Sequence, residues 1–488
     1  MPQVQTGSTR ATPVLGIEPI VTNTSVPTPT PAGRLTYSRG DPVRTPPDAR
    51  GHIGLIVAGS LAVGLLAAFL LAGAPFISPT EDEVTGAVLC GFAIGWAMLA
   101  LLTMRFTDQP QRWAAAPAVF MAVGGLLLIG LGATIREVLN WVWPPALLGL
   151  VVLMFVGAHR QLRSGTRRWL LYPVFGVLVL AAVGGGFETV REAVDANAYP
   201  MPGQLIDVGG HRLHLHCTGS GSPTVVLQPG GGDFSAVMAW VAPAVAGRTR
   251  VCVYDRPGRG WSDPTGEPQD ATEVATELHT LLDRGNVPGP YVLAGHSFGG
   301  LYVLAYADRY PDDVAGMVLV DSTNPATQAD PQKAVAYDGS SSDAITDRVG
   351  ALGAMLARVG LVRLVGGLSY GDLPAHSRDL VRAKTATAEY ASGWIDEFVQ
   401  ANASAAEAAM LTDFGAKPLV VLTAGAETDP IHDAAQAKLA TLSTNASHRV
   451  IEGASHTGLI TNQHDSQATT RAVLDVIASV RSGAPLPR

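Results

Sequence analysis

Charge is what this sequence has least of. Asp, Glu, Lys and Arg make up 15% of its 488 residues, where a soluble domain averages about 25%. A deficit of that size excludes a wholly water-exposed chain and points to a greasy region joined to ordinary folded parts. Cysteine is nearly as scarce: three residues exclude a disulfide-dense scaffold and a cysteine-rich zinc module. Basic residues are outnumbered, giving a net charge of −8, and nucleic acid, which needs a basic face, is excluded as a partner. The first apolar run begins only at Ile53, so the opening segment is not expected to act as a secretory signal peptide.

What is present falls into three regions. Residues 1–50 carry nine Pro and nine Thr and no long apolar run, so they are expected to form a disordered cytoplasmic tail. Residues 51–188 contain five apolar stretches, near 53–73, 84–104, 114–134, 138–158 and 169–187, without a single Asp, Glu, Lys or Arg among them. Each has about the 20 residues that span a hydrocarbon core as helix. Trp113, Trp141, Trp143 and Trp169 sit near stretch ends, where amphipathic rings favour the interface. Pro144 and Pro145 predict a kink or a helix start in the fourth stretch. The tail and the loops after stretches two and four hold clusters of Arg, whereas the loop after stretch one has none and that after stretch three has only Arg136. This alternation predicts a cytoplasmic N-terminus and, after five spans, an extracytoplasmic remainder. With no ionisable residue inside the stretches, anchoring to the lipid bilayer is the expected role, rather than ion-driven transport.

Residues 189–488 read as an α/β domain. Segments 204–208 and 211–217 alternate around Gly209-Gly210 as a hairpin. Short apolar runs at 224–227, 250–254, 291–294, 317–320 and 419–422 look like strands buried on both faces. Helical segments such as 271–284, 299–309 and 467–481 separate them, which predicts a parallel sheet covered on both sides. Nearly one hundred residues of helical character, about 322–416, interrupt this alternation and read as an inserted cap.

Gly295-His296-Ser297-Phe298-Gly299 lies between the strand 291–294 and the helix from Gly299. A G-x-S-x-G turn in that setting strains the serine and exposes its hydroxyl above the sheet edge. Ser297 is therefore the expected nucleophile, and it needs a base. His456, in the loop before the last helix, is the expected base; His432, His448 and His464 have helical or strand-edge contexts. The orienting acid is expected at Asp429, in the turn after strand 419–422, with Glu427 and Asp321 also open to that role. The oxyanion donors are expected to be the backbone N–H groups of Phe298 and of Gly231, the latter in the loop Pro229-Gly230-Gly231-Gly232.

Together with Tyr254-Asp255-Arg256-Pro257-Gly258-Arg259-Gly260-Trp261-Ser262-Asp263, which matches a D-x-x-G-x-G-x-S turn after the fourth strand, these motifs resemble the α/β-hydrolase fold superfamily. The likeness is to its single-cap serine esterase and lipase-like members and covers about residues 204–485. It implies an α/β-hydrolase sheet with a helical cap, hydrolytic chemistry through Ser297, His456 and an acid, and no metal or cofactor. It also places the strands of Cys217 and Cys252 side by side, where an outside location permits a disulfide. The sequence departs from the family at Pro229-Gly230, where a His-Gly pair is usual. The expected activity is hydrolysis of an apolar or lipid-like ester. A peptidase of the same fold, using Glu389, Asp396 or Glu397 to hold a substrate ammonium, and a non-catalytic membrane receptor are the alternatives.

Overall fold

A computed structural model describes residues 52–162, 169–325, 342–366, 370–426 and 430–487. The expected tail, part of the cap, and Glu427 and Asp429 lie outside the described residues.

The N-terminal helices are α1 (His52–Ala72), α2 (Glu81–Phe106), α3 (Ala115–Leu131), α4 (Ala133–Gln161) and α5 (Tyr172–Ala198). Among the described residues these give five segments long and apolar enough to cross a membrane. Without a hydrophobic drive between helices in lipid, close packing must hold such a bundle. Helices α1 and α2 achieve it with small residues: a Cβ on Gly95 would stand 2.7 Å from the Gly64 Cα. The tryptophans divide. Trp141 and Trp169 are exposed, as interfacial rings would be. Trp113, however, packs edge-on to Trp96 and Phe175, and Trp143 stacks on Phe120 with 4.0 Å between ring centroids. Those two rings fill the bundle instead. Helix α4 starts well before Pro144 and continues through Pro145, so the prolines do not open it. Helix α5 runs past the expected end of its apolar stretch to Ala198, carrying Glu188 and Asp195 into contact with the cap.

The rest of the chain builds an eight-stranded sheet in the order β1-β2-β4-β3-β5-β6-β7-β8. The strands are β1 (Gln204–Asp207), β2 (Arg212–Thr218), β3 (Thr224–Gln228), β4 (Val251–Tyr254), β5 (Tyr291–His296), β6 (Val314–Val320), β7 (Leu419–Ala424) and β8 (Ala446–Ile451). Pairs β1–β2 and β2–β4 are antiparallel, and every pair from β4 to β8 is parallel. Strands β3, β4, β5 and β7 are buried along their whole length, which is why they read as continuous apolar runs. Only β8, at the edge, alternates.

Helices α6 (Val241–Ala246), α7 (Ala271–Arg284), α8 (Gly299–Arg309), α14 (Pro430–Ala440), α15 (Gly458–Thr461) and α16 (Ser466–Ser482) accompany the sheet. Helix α7 shows the local logic. The Asp270 side chain accepts from the Glu273 N–H at 2.8 Å and caps the helix. Val274, Leu278, Leu281 and Leu282 then form one buried stripe. Between β6 and β7 the cap contributes α9 (Ser342–Arg358), α10 (Leu361–Gly366), α11 (Ala375–Lys384), α12 (Ala388–Val399) and α13 (Ala401–Ala408).

Cys217 and Cys252 are register partners on β2 and β4 and are joined by a disulfide. Peptide mapping without reductant is expected to recover the two peptides linked. Cys252→Ala is expected to lower stability by about 2–4 kcal/mol in chemical denaturation, and recovery of both cysteines as free thiols would contradict this.

Candidate active site

The elbow is built by steric need. Ser297 has φ of 55°, a left-handed conformation that side chains other than glycine rarely adopt. Its N–H donates to the Val320 carbonyl at 3.1 Å and its carbonyl accepts from Thr323 at 3.0 Å, so strands β5 and β6 hold the strained turn. Gly295 and Gly299 are required by closeness rather than by φ: a Cβ on Gly295 would overlap the Gly299 carbonyl, and one on Gly299 would overlap the Gln228 carbonyl. The serine thus sits at the C-terminal end of β5, at the start of α8.

A cavity of about 490 Å³ opens there, lined by Gly230, Gly231, Asp233, Ser297, Tyr370 and His456, among others. The structure therefore brings Ser297 and His456 to the same cavity. The His456 side chain is 46% exposed, leaving its ring accessible to a substrate. Its Nδ1 faces the Asp321 Oδ2 at 2.5 Å. An Nδ1–H donated to that carboxylate leaves Nε2 as a proton acceptor.

The acid expected at Asp429, and its alternative Glu427, lie outside the described residues. The carboxylate described against His456 is Asp321, the alternative at the end of β6. The reason is sheet geometry. The Asp321 N–H donates to the Leu422 carbonyl at 2.7 Å, which sets the end of β6 beside β7 and within reach of the His456 loop. Asp321 is itself left-handed, with φ of 43°. Its Oδ1 accepts from the Ala424 N–H at 3.0 Å and lies 2.8 Å from His432 Nε2. Burial pushes this carboxyl up, but the hydrogen bonds from His456, His432 and Ala424 outweigh it and hold the group at about 2. His432, whose helical setting reads as surface, is thus a second imidazole on the same carboxylate.

His296, buried beside the nucleophile, places Nε2 at 3.0 Å from the His456 carbonyl and fixes that loop. Burial, then the neighbouring His456, pushes its pKa down to about 3, so the ring is neutral and donates from Nε2.

The glycine loop after β3 is clamped from below. Arg256 donates to the carbonyls of Pro229, at 3.1 Å, and Gly230, at 2.6 Å. A Cβ on Gly231 would touch the Phe298 ring at 3.3 Å, so the expected oxyanion loop and Phe298 do adjoin. The Gly232 N–H is already engaged by Glu397, at 2.7 Å. Sequence reasoning offered Glu397 only as a holder of a substrate ammonium and missed its pairing: Glu397 from α12 meets Arg256 and Arg259, each at 2.8 Å, and accepts from the Tyr302 hydroxyl at 2.8 Å. Burial raises this carboxyl, but the two guanidiniums beside it win and hold it at about 2. The two arginines inside the D-x-x-G-x-G-x-S turn were the available signal. Asp233 was also missed. It faces the cavity, accepts from the Tyr370 hydroxyl at 3.1 Å, and is pushed up to about 6 by burial, against that bond and the Arg256 charge.

The model of the alpha/beta hydrolase fold family matches residues 223–463. That stretch, with its mostly parallel sheet, has the α/β-hydrolase fold and supports a hydrolase. Among curated proteins, an uncharacterised protein of Schizosaccharomyces pombe is 36% identical over 163 residues, 27% of this chain and 30% of that protein. A protein of Hormonema carpetanum named as a probable transporter is 33% identical over 132 residues, 25% of this chain and 19% of its own. The chain thus spans less than a third of the length of these two relatives. A vacuolar membrane protein of Saccharomyces cerevisiae is 28% identical over 130 residues, 23% of this chain and 20% of that protein. Among solved structures, an esterase from Thermogutta terrifontis is similar with a TM-score of 0.41 at 20% identity, covering 57% of this chain and 100% of that one. The epoxide hydrolase CorEH matches with a TM-score of 0.42 at 17% identity, over 57% of this chain and 99% of that one. These last likenesses are of fold.

Proposed function

We propose that the chain is a membrane-anchored serine hydrolase that cleaves carboxylic esters with an apolar, lipid-like group. The observation that carries this reading is the pairing of Asp321 with His456 Nδ1 on the cavity that also holds Ser297 at its strained elbow. In the mechanism, His456 Nε2 takes the Ser297 proton as Oγ attacks the ester carbonyl. Asp321 fixes the ring tautomer and stabilises the imidazolium. The N–H groups of Phe298 and Gly231 receive the negative charge on the tetrahedral oxygen. The imidazolium then protonates the departing alcohol, and the same ring activates water to hydrolyse the acyl-enzyme.

The domain reading is that residues 51–188 anchor, 189–488 catalyse and about 322–416 cap the site. The arginine pattern of the loops and the disulfide between Cys217 and Cys252 both support a hydrolase domain outside the membrane of the cell. The peptidase reading is disfavoured by its own candidates. Glu397 is engaged by two arginines, Glu389 by Arg358 at 2.9 Å, and Asp396 by the Gln269 N–H at 3.1 Å.

Ser297→Ala is expected to lower turnover of p-nitrophenyl butyrate by roughly 10⁶-fold and to abolish labelling by a fluorophosphonate probe. Unchanged turnover would overturn the assignment, and failure of the probe to label the unmutated protein would favour a non-catalytic receptor.

A further inference from the structure

We propose that the cap helices α9 and α10 lie in the outer leaflet, with their exposed apolar side chains against lipid acyl chains, so that the cavity takes its ester directly from the bilayer. This rests on the ester reading for the substrate and on the proposed orientation for the choice of leaflet; the lipid contact itself stands on geometry.

The cap is fastened to the bundle below its outer rim. A Cβ on Gly184 of α5 would overlap the Val359 carbonyl, between α9 and α10. At about 1.5 Å of rise per residue, Gly184 is about 18 Å along the helix from Tyr172, inside a hydrocarbon core about 30 Å thick. Helix α4 gives the same depth from the other side. A Cβ on Gly186 would lie 3.3 Å from the Pro144 Cβ, and Pro144 is about 9 Å in from Val138, where the apolar part of α4 begins. Gly186 is about 21 Å from Tyr172, so the depths of Gly186 and Pro144 together make up the core thickness.

The charges of this seam are paired. Arg363, the charged residue of α10, binds Glu188 at 2.7 Å and Asp195 at 3.0 Å, both on α5. Arg358 binds Glu81, at the start of α2, at 2.8 Å. Arg348 donates to the carbonyls of Ala72, Ala74 and Ile77, which close the end of α1. Among the described residues, beyond the exposed Asp347 in the first half of α9, the exposed side chains of α9 and of α10 are apolar: Leu352 and Leu356 on α9, and Leu364 and Val365 on α10, the last two 76% and 78% exposed. They continue the exposed apolar face of α5 at Val183, Phe187 and Val190. An apolar surface contiguous with a membrane-spanning face, and fixed at membrane depth, has lipid as its matching solvent. Tyr370, a few residues beyond α10, lines the catalytic cavity.

The test uses the full chain in phosphatidylcholine vesicles, in a Cys90→Ala background. Leu364→Cys carries an environment-sensitive fluorophore, and Asp312→Cys, exposed ahead of β6 on the sheet edge opposite Ser297, is the control. The label at 364 is expected to emit to the blue of the control, to be quenched by doxyl-labelled lipid and to be protected from iodide. Iodide quenching equal to that of the control overturns the proposal. In a second arm, Leu364→Asp with Val365→Asp is expected to lower hydrolysis of p-nitrophenyl palmitate dissolved in the vesicles by about tenfold or more. Hydrolysis of water-soluble p-nitrophenyl butyrate should be unchanged. Equal loss on both esters also overturns the proposal. Absence of butyrate hydrolysis by the unmutated protein overturns the ester reading instead, and the label at 364 still decides the leaflet contact.

Discussion

Asp321→Asn is expected to lower kcat for ester hydrolysis by roughly 10⁴-fold, while Asp429→Asn retains most of the activity. One imidazole N–H takes one carboxylate oxygen, and Oδ2 of Asp321 holds that place at 2.5 Å from His456 Nδ1. An amide there presents an N–H as readily as an oxygen, so the ring turns to the wrong tautomer and Nε2 no longer accepts the serine proton. The measurement is kcat for both variants on p-nitrophenyl butyrate; the opposite ranking would move the acid to the turn after β7. A pH profile adds a second check. Asp321 is held at about 2, below the 3.8 of an ordinary aspartate, so it remains charged wherever the protein is folded and active. The acid limb of the rate profile should therefore owe nothing to this carboxyl. The depressed carboxyl also stabilises the fold, fully above pH 3.8, and that contribution is lost as pH falls toward 2.

How far the sequence reveals such a site depends on how local its causes are. The elbow is legible because everything that forces it lies within Gly295–Gly300 and one strand end. Strands β3 to β7 are legible because burial on both faces imposes unbroken apolar runs. The acid is not. Whether a carboxylate after β6 or one after β7 reaches His456 depends on how those neighbouring strands end relative to each other, which residue order does not state. The outer end of α5 is hidden for a related reason. Its polar residues Glu188 and Asp195 look like the end of a span, yet the helix continues because Arg363, well over a hundred residues later, pairs with them. Trp113 and Trp143 mislead similarly: position near a stretch end says nothing of which way a ring turns.

Glu397→Gln is expected to cost about 3–5 kcal/mol of stability, the range for breaking a buried ion pair from one side. The carboxylate is 3% exposed and stands between Arg256 and Arg259, themselves 4% and 2% exposed. Its removal leaves two guanidiniums without their counter-charge in a place that water does not reach. By contrast, Asp475→Asn, which breaks the half-exposed pair with Arg449 at 2.7 Å, should cost only about 0–1 kcal/mol. Chemical denaturation of the two variants in the same detergent compares them directly, and equal losses would show that the buried cluster is not a strong point of the fold. The pH dependence follows from the same charges. Glu397 is held at about 2 against an ordinary 4.5, so its contribution is complete above pH 4.5 and disappears as pH falls toward 2. Activity is affected through the loop. Glu397 Oε2 accepts the Gly232 N–H at 2.7 Å while Arg256 holds the carbonyls of Pro229 and Gly230. Weakening that anchor loosens the neighbouring Gly231 N–H, so the variant that remains folded should lose kcat with little change in KM. On the proposed mechanism, a helix of the cap thereby holds the donor loop in place, which gives that helix a role in the chemistry.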